Sequence, residues 1–517
     1  QVFESSVAER SVLAGSRLAD DIVNAVDIRE AVAAPETVLS VFTGMKDTIT
    51  TQQILESTRR IFSGNVIRST YVTPATGEAT AADLRAAMLA PVTPDATARL
   101  STKPISFASL PVLGKPGAIV QDAPIGVLDI GRVDFANGVK VLLWPNDAEP
   151  GRVSVKVRFG GGYRSFDEDD AAYVALGKMA LVGSGVGPLG QEELDRISTG
   201  RKMGFQFEIE DGAFSFFAQT RQEDLADQLY LFAAKLGTPR WDANPVIRAK
   251  AAANLAFESY ATSPAGVLGR DLETLERGGD PRYAAPTRQQ LAAATPEGFR
   301  RVWEPILKQG PVEVLVFGDF DRTATVQALA RTFGALPPRT PLPEVNAARV
   351  PGFAAAGETT VRTHRGDASQ AAAVVQWPSG AGVANLRESR QLQILVQLFN
   401  NRLLDAMRER AGASYAPVVR SDWPTDVDGG GRISAMAQLQ PKDVPIFFSE
   451  AQRIATELAT KPAAQDELDR VTEPLRQYIS RASTGNLFWL YQLEGATADP
   501  RIVAYLRPLL ADYSRTT

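Results

Sequence analysis

Cysteine is absent from these 517 residues, and histidine occurs once, as His364. The first absence excludes disulfides, thiol nucleophiles and iron–sulfur ligation, but says little about compartment, since secreted proteins need not carry disulfides. Together the two exclude most protein metal sites. Zinc favours several histidines and cysteines at once, so a centre built here would have to rest on carboxylates. Charge is also sparse: a net −5 gives no reason to expect nucleic acid or an anionic membrane as partner. No run approaches the roughly 18 consecutive apolar residues that a membrane helix requires. Residue 1 is Gln, so the N-terminus reads as something other than the start of a primary translation product, and a signal peptide would lie upstream of it.

What is present reads as ordinary globular protein, 44% apolar and 22% charged, long enough for several domains. Two proline-rich stretches divide it. One spans residues 91–124 and contains Pro94, Pro104, Pro111 and Pro116; the other spans residues 336–351 and contains Pro337, Pro338, Pro341 and Pro343. Proline fixes φ and removes an amide donor, so both read as extended connectors. Between them, residues 125–335 read as an α+β unit. Asn137-Gly138 predicts a hairpin turn, and Val153, Val155, Val157 and Phe159 alternate with Ser154, Lys156 and Arg158 as in a half-buried antiparallel strand. A helix over 169–182, a hairpin through Asp211-Gly212, a helix with Leu225, Leu229, Phe232 and Leu236, a helix over 295–307 and a strand over 312–317 follow.

Residues 352–517 repeat this order: a strand at 371–376, a helix through Leu392, Leu395 and Phe399, strands near 414–420 and 431–439, then helices at Ile454 and Leu458 and over 465–481. Self-similarity over about 170–200 residues indicates a duplicated domain rather than a short solenoid repeat. Residues 50–73 share the helix-then-strand plan of 295–318, with Arg59-Arg60-Ile61-Phe62 standing where Arg300-Arg301-Val302-Trp303 stand. Residues 1–90 therefore read as the C-terminal part of an earlier copy. The copy at 352–517 reads as truncated before its closing helix and strand.

The most informative segment is 401–417, N-R-L-L-D-A-M-R-E-R-A-G-A-S-Y-A-P. Gly412 suits the C′ position of a helix over 386–411, which places Arg408 in the last turn, where the helix dipole favours a cation, and Tyr415 on the strand that leaves it. Arginine and tyrosine so placed are two hydrogen-bond donors for one cavity. Taken alone, the pair is better read as structural, because both residue types are common at such positions.

In this layout the segment resembles the C-terminal half of the insulinase-like (pitrilysin-type) zinc metallopeptidases. There, an arginine is followed seven positions later by a tyrosine, as Arg408 is by Tyr415. The strand into Gly160-Gly161-Gly162-Tyr163-Arg164, the Val316-Phe317-Gly318-Asp319 segment and Asn486-Leu487-Phe488-Trp489 are also similar, and the resemblance spans nearly the whole chain. It implies an α+β fold of duplicated domains, each a mostly antiparallel sheet packed with helices, four of which build two half-shells around a chamber. The family's H-x-x-E-H motif supplies two zinc ligands and a general base. Aligned through Met179-Ala180-Leu181-Val182-Gly183, that motif falls on Val174, Gly177 and Lys178, none of which can serve.

The resemblance thus implies a substrate-binding, non-catalytic half of a zinc metalloendopeptidase. It would be inactive as an isolated chain and bind no metal itself, with zinc in the intact enzyme. Its partners would be a zinc-bearing N-terminal half, in the same polypeptide or a separate subunit, and peptide substrates, with no nucleic acid and no membrane span. Arg408 and Tyr415 would be auxiliary catalytic donors reaching across the chamber, and Gly160, Gly161 and Gly162 would lie at a strand edge that peptide joins by β-augmentation. Bacterial relatives with tandem halves are often exported, which implies a periplasmic or secreted location. Two rival readings stay open: an inert scaffold or assembly subunit of the same family, and a self-contained peptide-binding module. Elsewhere the plainer reading is preferred. The glycine run lacks a phosphate-loop pattern, His364 lies just before a strand, 167–170 is an acidic helix start, and Phe488, Trp489 and Tyr491 read as packing.

Overall fold

The structure, a computed structural model, describes residues 2–10, 15–64, 68–71, 77, 79–91, 105–353, 359–411 and 417–514, and divides into two units, Gln1–Ser106 and Phe107–Thr517. The second unit holds ten strands: β1 (Ile119–Pro124), β2 (Gly131–Phe135), β3 (Lys140–Pro145), β4 (Val153–Phe159), β5 (Gln206–Ile209), β6 (Phe214–Thr220), β7 (Val312–Gly318), β8 (Ala371–Pro378), β9 (Val418–Asp422) and β10 (Arg432–Leu439). They form a seven-stranded sheet, β1-β2-β3-β7-β4-β6-β5, and a three-stranded sheet, β8-β10-β9. Every pairing is antiparallel except β3 with β7. The fold class is therefore the expected one. Strands β8-β10-β9 reproduce the order β4-β6-β5, and Asn137-Gly138 turns β2 into β3 with Gly138 at φ +89°.

The sequence reading of β4 as half-buried is corrected: all seven of its residues are buried. On one face Val155, Val157 and Phe159 join Phe214, Phe216 and Val314 beneath the Ala171–Ala180, Leu225–Gly237 and Pro296–Ile306 helices. The opposite face of the sheet is covered by the C-terminal part of the same unit. Leu142, Leu315 and Phe317 pack there on Leu490, Leu493, Ile502 and Leu506. At its polar end, Lys156 Nζ lies 2.6 Å from Glu494 Oε1, and Arg158 Nη1 lies 3.3 Å from Glu313 Oε2. Arg158 also pairs with Asp426, and its Nε lies 3.5 Å from Glu494. Glu313 further accepts from Gly495 N at 2.7 Å and Thr497 N at 2.9 Å. Alternation marks which side chains share a face of a strand but does not tell whether the polar face meets water or other charges.

The three-stranded sheet is covered by two helices, Leu386–Ala411 and Val444–Thr460, through Phe399, Leu403, Ala435, Ala437 and Phe447. A second stripe on the Leu386–Ala411 helix, Ile394 and Leu398, packs on Leu468, Val471 and Ile479, so two neighbours fix this helix over most of its length. No helix among the described residues is long and apolar enough to cross a membrane.

The proline-rich stretches are less free than their composition suggests. Residues 119–124 of the first form β1, an edge strand that ends at Pro124, where no donor is required of the ring. In the second, Arg339 donates to the carbonyls of Leu307 (2.6 Å), Gly310 (2.9 Å) and Gln309, and Arg349 to that of Phe166 (2.5 Å), which ties the stretch to the sheet. Arg339 has carbonyls as its partners, and burial pulls its guanidinium down to about 10.

Unit 1 is a set of helices, among them Gly15–Asp27, Pro35–Lys46, Thr51–Phe62 and Ala81–Leu89. The Thr51–Phe62 helix starts at a capping box, with Gln53 N donating to Thr50 Oγ1 at 3.2 Å and Thr50 N to Gln53 Oε1 at 3.0 Å. No residue with a described side chain in this unit is buried, and Ile61 and Phe62 are 71% and 82% exposed. The strand expected after this helix lies largely outside the described residues.

Two expectations about stability follow from the network on β4. Replacing Arg158 by Met leaves Glu210, Glu313, Asp426 and Glu494 facing Lys156 alone, and Arg158→Met should cost about 3–5 kcal/mol in urea unfolding, the range for breaking a buried pair on one side. Burial raises Glu494 to about 7, against the attraction of Lys156 and Arg158. A carboxyl raised on folding contributes stability below its unfolded pKa, and that stability is lost as pH rises through the folded value. Unfolding curves should therefore show Glu494→Gln gaining on the parent between pH 4.5 and pH 8. A gap that stayed constant with pH would exclude this titration.

Candidate functional site

The Leu386–Ala411 helix carries the candidate site at its C-terminal end. Arg402 Nε and Nη2 donate to Glu467 at 2.6 and 2.7 Å, tying the helix to the Gln465–Ala482 helix, and Val419 N donates to Asn400 Oδ1 at 3.0 Å, anchoring β9 to it. Leu403, Ala406 and Met407 are buried, and the next residue, Arg408, is exposed in the last turn. Arg408 makes no hydrogen bond or ion pair among the described residues. Met407 and Pro417, on either side of the Arg408-to-Tyr415 segment, are buried. Gly412 and Tyr415 lie outside the described residues.

The three positions on which the family motif would fall lie on the Ala171–Ala180 helix, and two of them serve packing. Val174 is in the core, Gly177 lies flat under the indole of Trp303, and Lys178 is exposed. A Cβ at Gly177 would overlap the Trp303 ring, and Trp303 is itself fixed by its Nε1 donating to Tyr173 O at 2.9 Å. The helix ends against a buried ammonium: Lys235 donates to Leu181 O (2.9 Å), Val182 O (3.4 Å) and Ser184 O, and burial draws it down to about 7. A zinc ion does not fit these residues. They offer no donor atom at 174 or 177 and a cation at 178, and no group of three His, Cys, Asp or Glu among the described residues could hold a metal.

Gly160, Gly161 and Gly162 are buried, and the strand that runs into them is hydrogen-bonded to β6 and β7 along both sides. The expected strand edge for peptide is therefore corrected: β4 is an interior strand. Gly160 (φ +69°) and Gly162 (φ +57°) are needed for close packing on Phe214 and on the 210–213 turn. His364 staples its own loop, its Nε2 2.9 Å from Gln370 O and its Nδ1 accepting from Gly366 N at 3.2 Å. Asp167–Asp170 forms a capping box, Asp167 N donating to Asp170 Oδ2 at 3.0 Å. Asn486 donates to Glu149 at 2.9 Å and Trp489 packs edge-on against Trp144, while Tyr491 is exposed beneath Lys156, whose Nζ is 5.0 Å from the ring centre. The sequence reading missed the ionic network on Lys156 and Arg158. Its only sequence signal was two cations in an otherwise β-branched strand.

Residues 294–475 match the family described as the peptidase M16 inactive domain. Among solved structures, the ferredoxin protease FusC in complex with Arabidopsis ferredoxin is 15% identical with a TM-score of 0.66, covering 99% of this chain and 57% of that one. The periplasmic protease PqqL from Escherichia coli is 15% identical with a TM-score of 0.66, covering 100% and 57%. The peptidase M16 inactive domain from Pseudomonas fluorescens is 18% identical with a TM-score of 0.63, covering 75% and 93%. This chain therefore spans 57% of the length of FusC and of PqqL. No curated protein matches it. Residues 294–475 thus carry a peptidase M16 inactive domain, in line with the resemblance read from the sequence, and the α+β fold is the one these solved structures share.

The tight fit of the degenerate motif is testable. Gly177→Ala should lower stability by about 1–3 kcal/mol in urea unfolding, because a methyl there displaces the Trp303 ring. Equal midpoints for variant and parent would show that the Gly177 contact is slack.

Proposed function

We propose that this chain is the substrate-holding, non-catalytic half of a zinc metalloendopeptidase that hydrolyses peptides in a closed chamber. The observation that carries the reading is a contrast within one chain. The helix that would hold metal has been given over to packing, with Gly177 under Trp303, while Arg408 stands exposed, with no partner among the described residues, at the end of a helix fixed on two sides. An exposed guanidinium on a rigid support is suited to meet an external oxygen at little ordering cost. In this reading Arg408 and Tyr415 donate hydrogen bonds to a substrate carbonyl, and hydrolysis itself belongs to a facing half that bears zinc.

The same reading assigns residues 1–90 to the C-terminal part of a second peptidase-like domain, 91–124 and 336–351 to linkers, and 125–335 and 352–517 to the third and fourth domains. Support comes from the apolar residues that the Thr51–Phe62 helix leaves uncovered, Ile54, Leu55, Ile61 and Phe62. Such a face in a folded domain packs against a sheet. Further support comes from β8, which pairs only with β10 among the described residues, whereas its counterpart β4 pairs on both sides. A periplasmic or secreted location is part of the proposal, supported by the likeness to PqqL.

A second reading is an inert scaffold or assembly subunit of the same family. It is supported by the likeness to a chain of complex III2 from Candida albicans, 14% identical with a TM-score of 0.55, covering 75% of this chain and 90% of that one. The two separate on activity. With the zinc-bearing half supplied, Tyr415→Phe should lower kcat about 100- to 1000-fold with the zinc content unchanged, the usual loss for one oxyanion donor. A Tyr415→Phe enzyme that keeps its full kcat removes the catalytic role. A reassembled parent without peptidase activity favours the scaffold.

A further inference from the structure

The Ala243–Tyr260 and Pro264–Glu276 helices, the 284–287 loop and the segment around Arg362 enclose a groove of about 350 Å³. That volume is at the lower end of what small-ligand and side-chain sites enclose. Its walls differ. Phe257, Leu275 and Pro286 make one side apolar, and the Phe257 ring is held flat by the Arg288 guanidinium 4.8 Å from its centre. The other side is cationic. Arg270 donates to Asp271 through Nε (2.6 Å) and Nη2 (2.7 Å), and Arg362 Nε lies 3.3 Å from the same carboxylate.

Asp271 is the only acid among the described residues that line the groove, and there two guanidiniums share this one carboxylate. The donors are not used up. Arg270 Nη1 and Arg362 Nη2 make no hydrogen bond among the described residues, while Arg362 Nη1 donates to Val361 O at 3.1 Å. Asp271 orients both guanidiniums before any ligand arrives, which lowers the ordering cost of binding an anion. A guanidinium pair beside an apolar wall matches a carboxylate next to an apolar side chain. A ligand of that kind fills both walls at once.

We propose that this groove is a peptide subsite, taking a glutamate or aspartate side chain against Arg270 and Arg362, with an adjacent apolar side chain against Phe257 and Leu275. The inference rests on the peptide-holding reading and adds a side-chain preference at a place remote in sequence from Arg408. It would make acidic–apolar segments the preferred cargo.

Fluorescence anisotropy with the full 517-residue chain tests it, using a fluorescein-labelled, amide-blocked hexapeptide Gly-Ser-Leu-Glu-Ser-Gly. The glutamine version should bind about tenfold more weakly or worse, the usual value of a charge-assisted hydrogen bond. Arg362→Gln, at a half-exposed side chain whose loss leaves the core intact, should abolish that discrimination while leaving the glutamine peptide unchanged. Asp271→Asn should increase affinity for the glutamate peptide, since it frees donors, an effect a merely structural carboxylate would not produce. Equal binding of the two peptides overturns the groove assignment and leaves the peptide-holding reading intact. Binding of a free C-terminal carboxylate only, or of inorganic phosphate only, also overturns the side-chain subsite. No binding of any peptide overturns both.

Discussion

The buried charges on β4 hold the second unit together. A strand with apolar residues on one face and Ser154, Lys156 and Arg158 on the other is an ordinary sheet component if the polar face is wet. Here it is dry, closed over by residues 486–506. Two cations cannot be left unpaired in such a place, so Glu494, Glu313 and Asp426 must arrive from three other segments. The consequence is geometric. The seven-stranded sheet, the loop before β10 and the C-terminal helices each bring a carboxylate to these two cations, which favours the arrangement in which they meet.

That arrangement gives the fold a rigid platform. Leu490, Leu493, Ile502 and Leu506 complete the second face of the large sheet, and Arg390, buried with Asp512 at 2.7 Å, anchors the Leu386–Ala411 helix to the chain's last helix. Arg408 stands at the other end of that helix, 18 residues from Arg390. An exposed arginine is usually a mobile one, but here the backbone beneath it is pinned at Asn400, Arg402 and Met407. The side chain has no partner among the described residues and its base is fixed, and the proposed contact with substrate rests on that combination.

The degenerate helix is the counterpart. In a metal-binding helix the inward-facing positions carry polar ligands that keep the neighbouring elements apart. In the Ala171–Ala180 helix, Val174 and Gly177 let the neighbours close in: Trp303 comes down onto Gly177, and Gly298 of the partner helix accepts Tyr173 in return. A larger side chain at 177 would have to displace the Trp303 indole.

The strand and helix periods and the Asn-Gly turn were legible in the sequence, because each is a local pattern of residue types at fixed spacing. The lack of histidine and cysteine was equally decisive, since chemistry absent from the chain cannot be assembled by folding. Tertiary structure alone decided whether a polar face is wet, whether a strand has an edge, and which distant carboxylate meets which arginine. Lys156 and Arg158 look like solvent-facing residues until Glu494 is brought more than 300 positions along the chain to meet them. Gly160–Gly162 look like the end of an edge strand until β6 and β7 take both sides. Sequence spacing fixes direction along one element, whereas pairing and burial depend on which elements become neighbours, and that is a property of the whole fold.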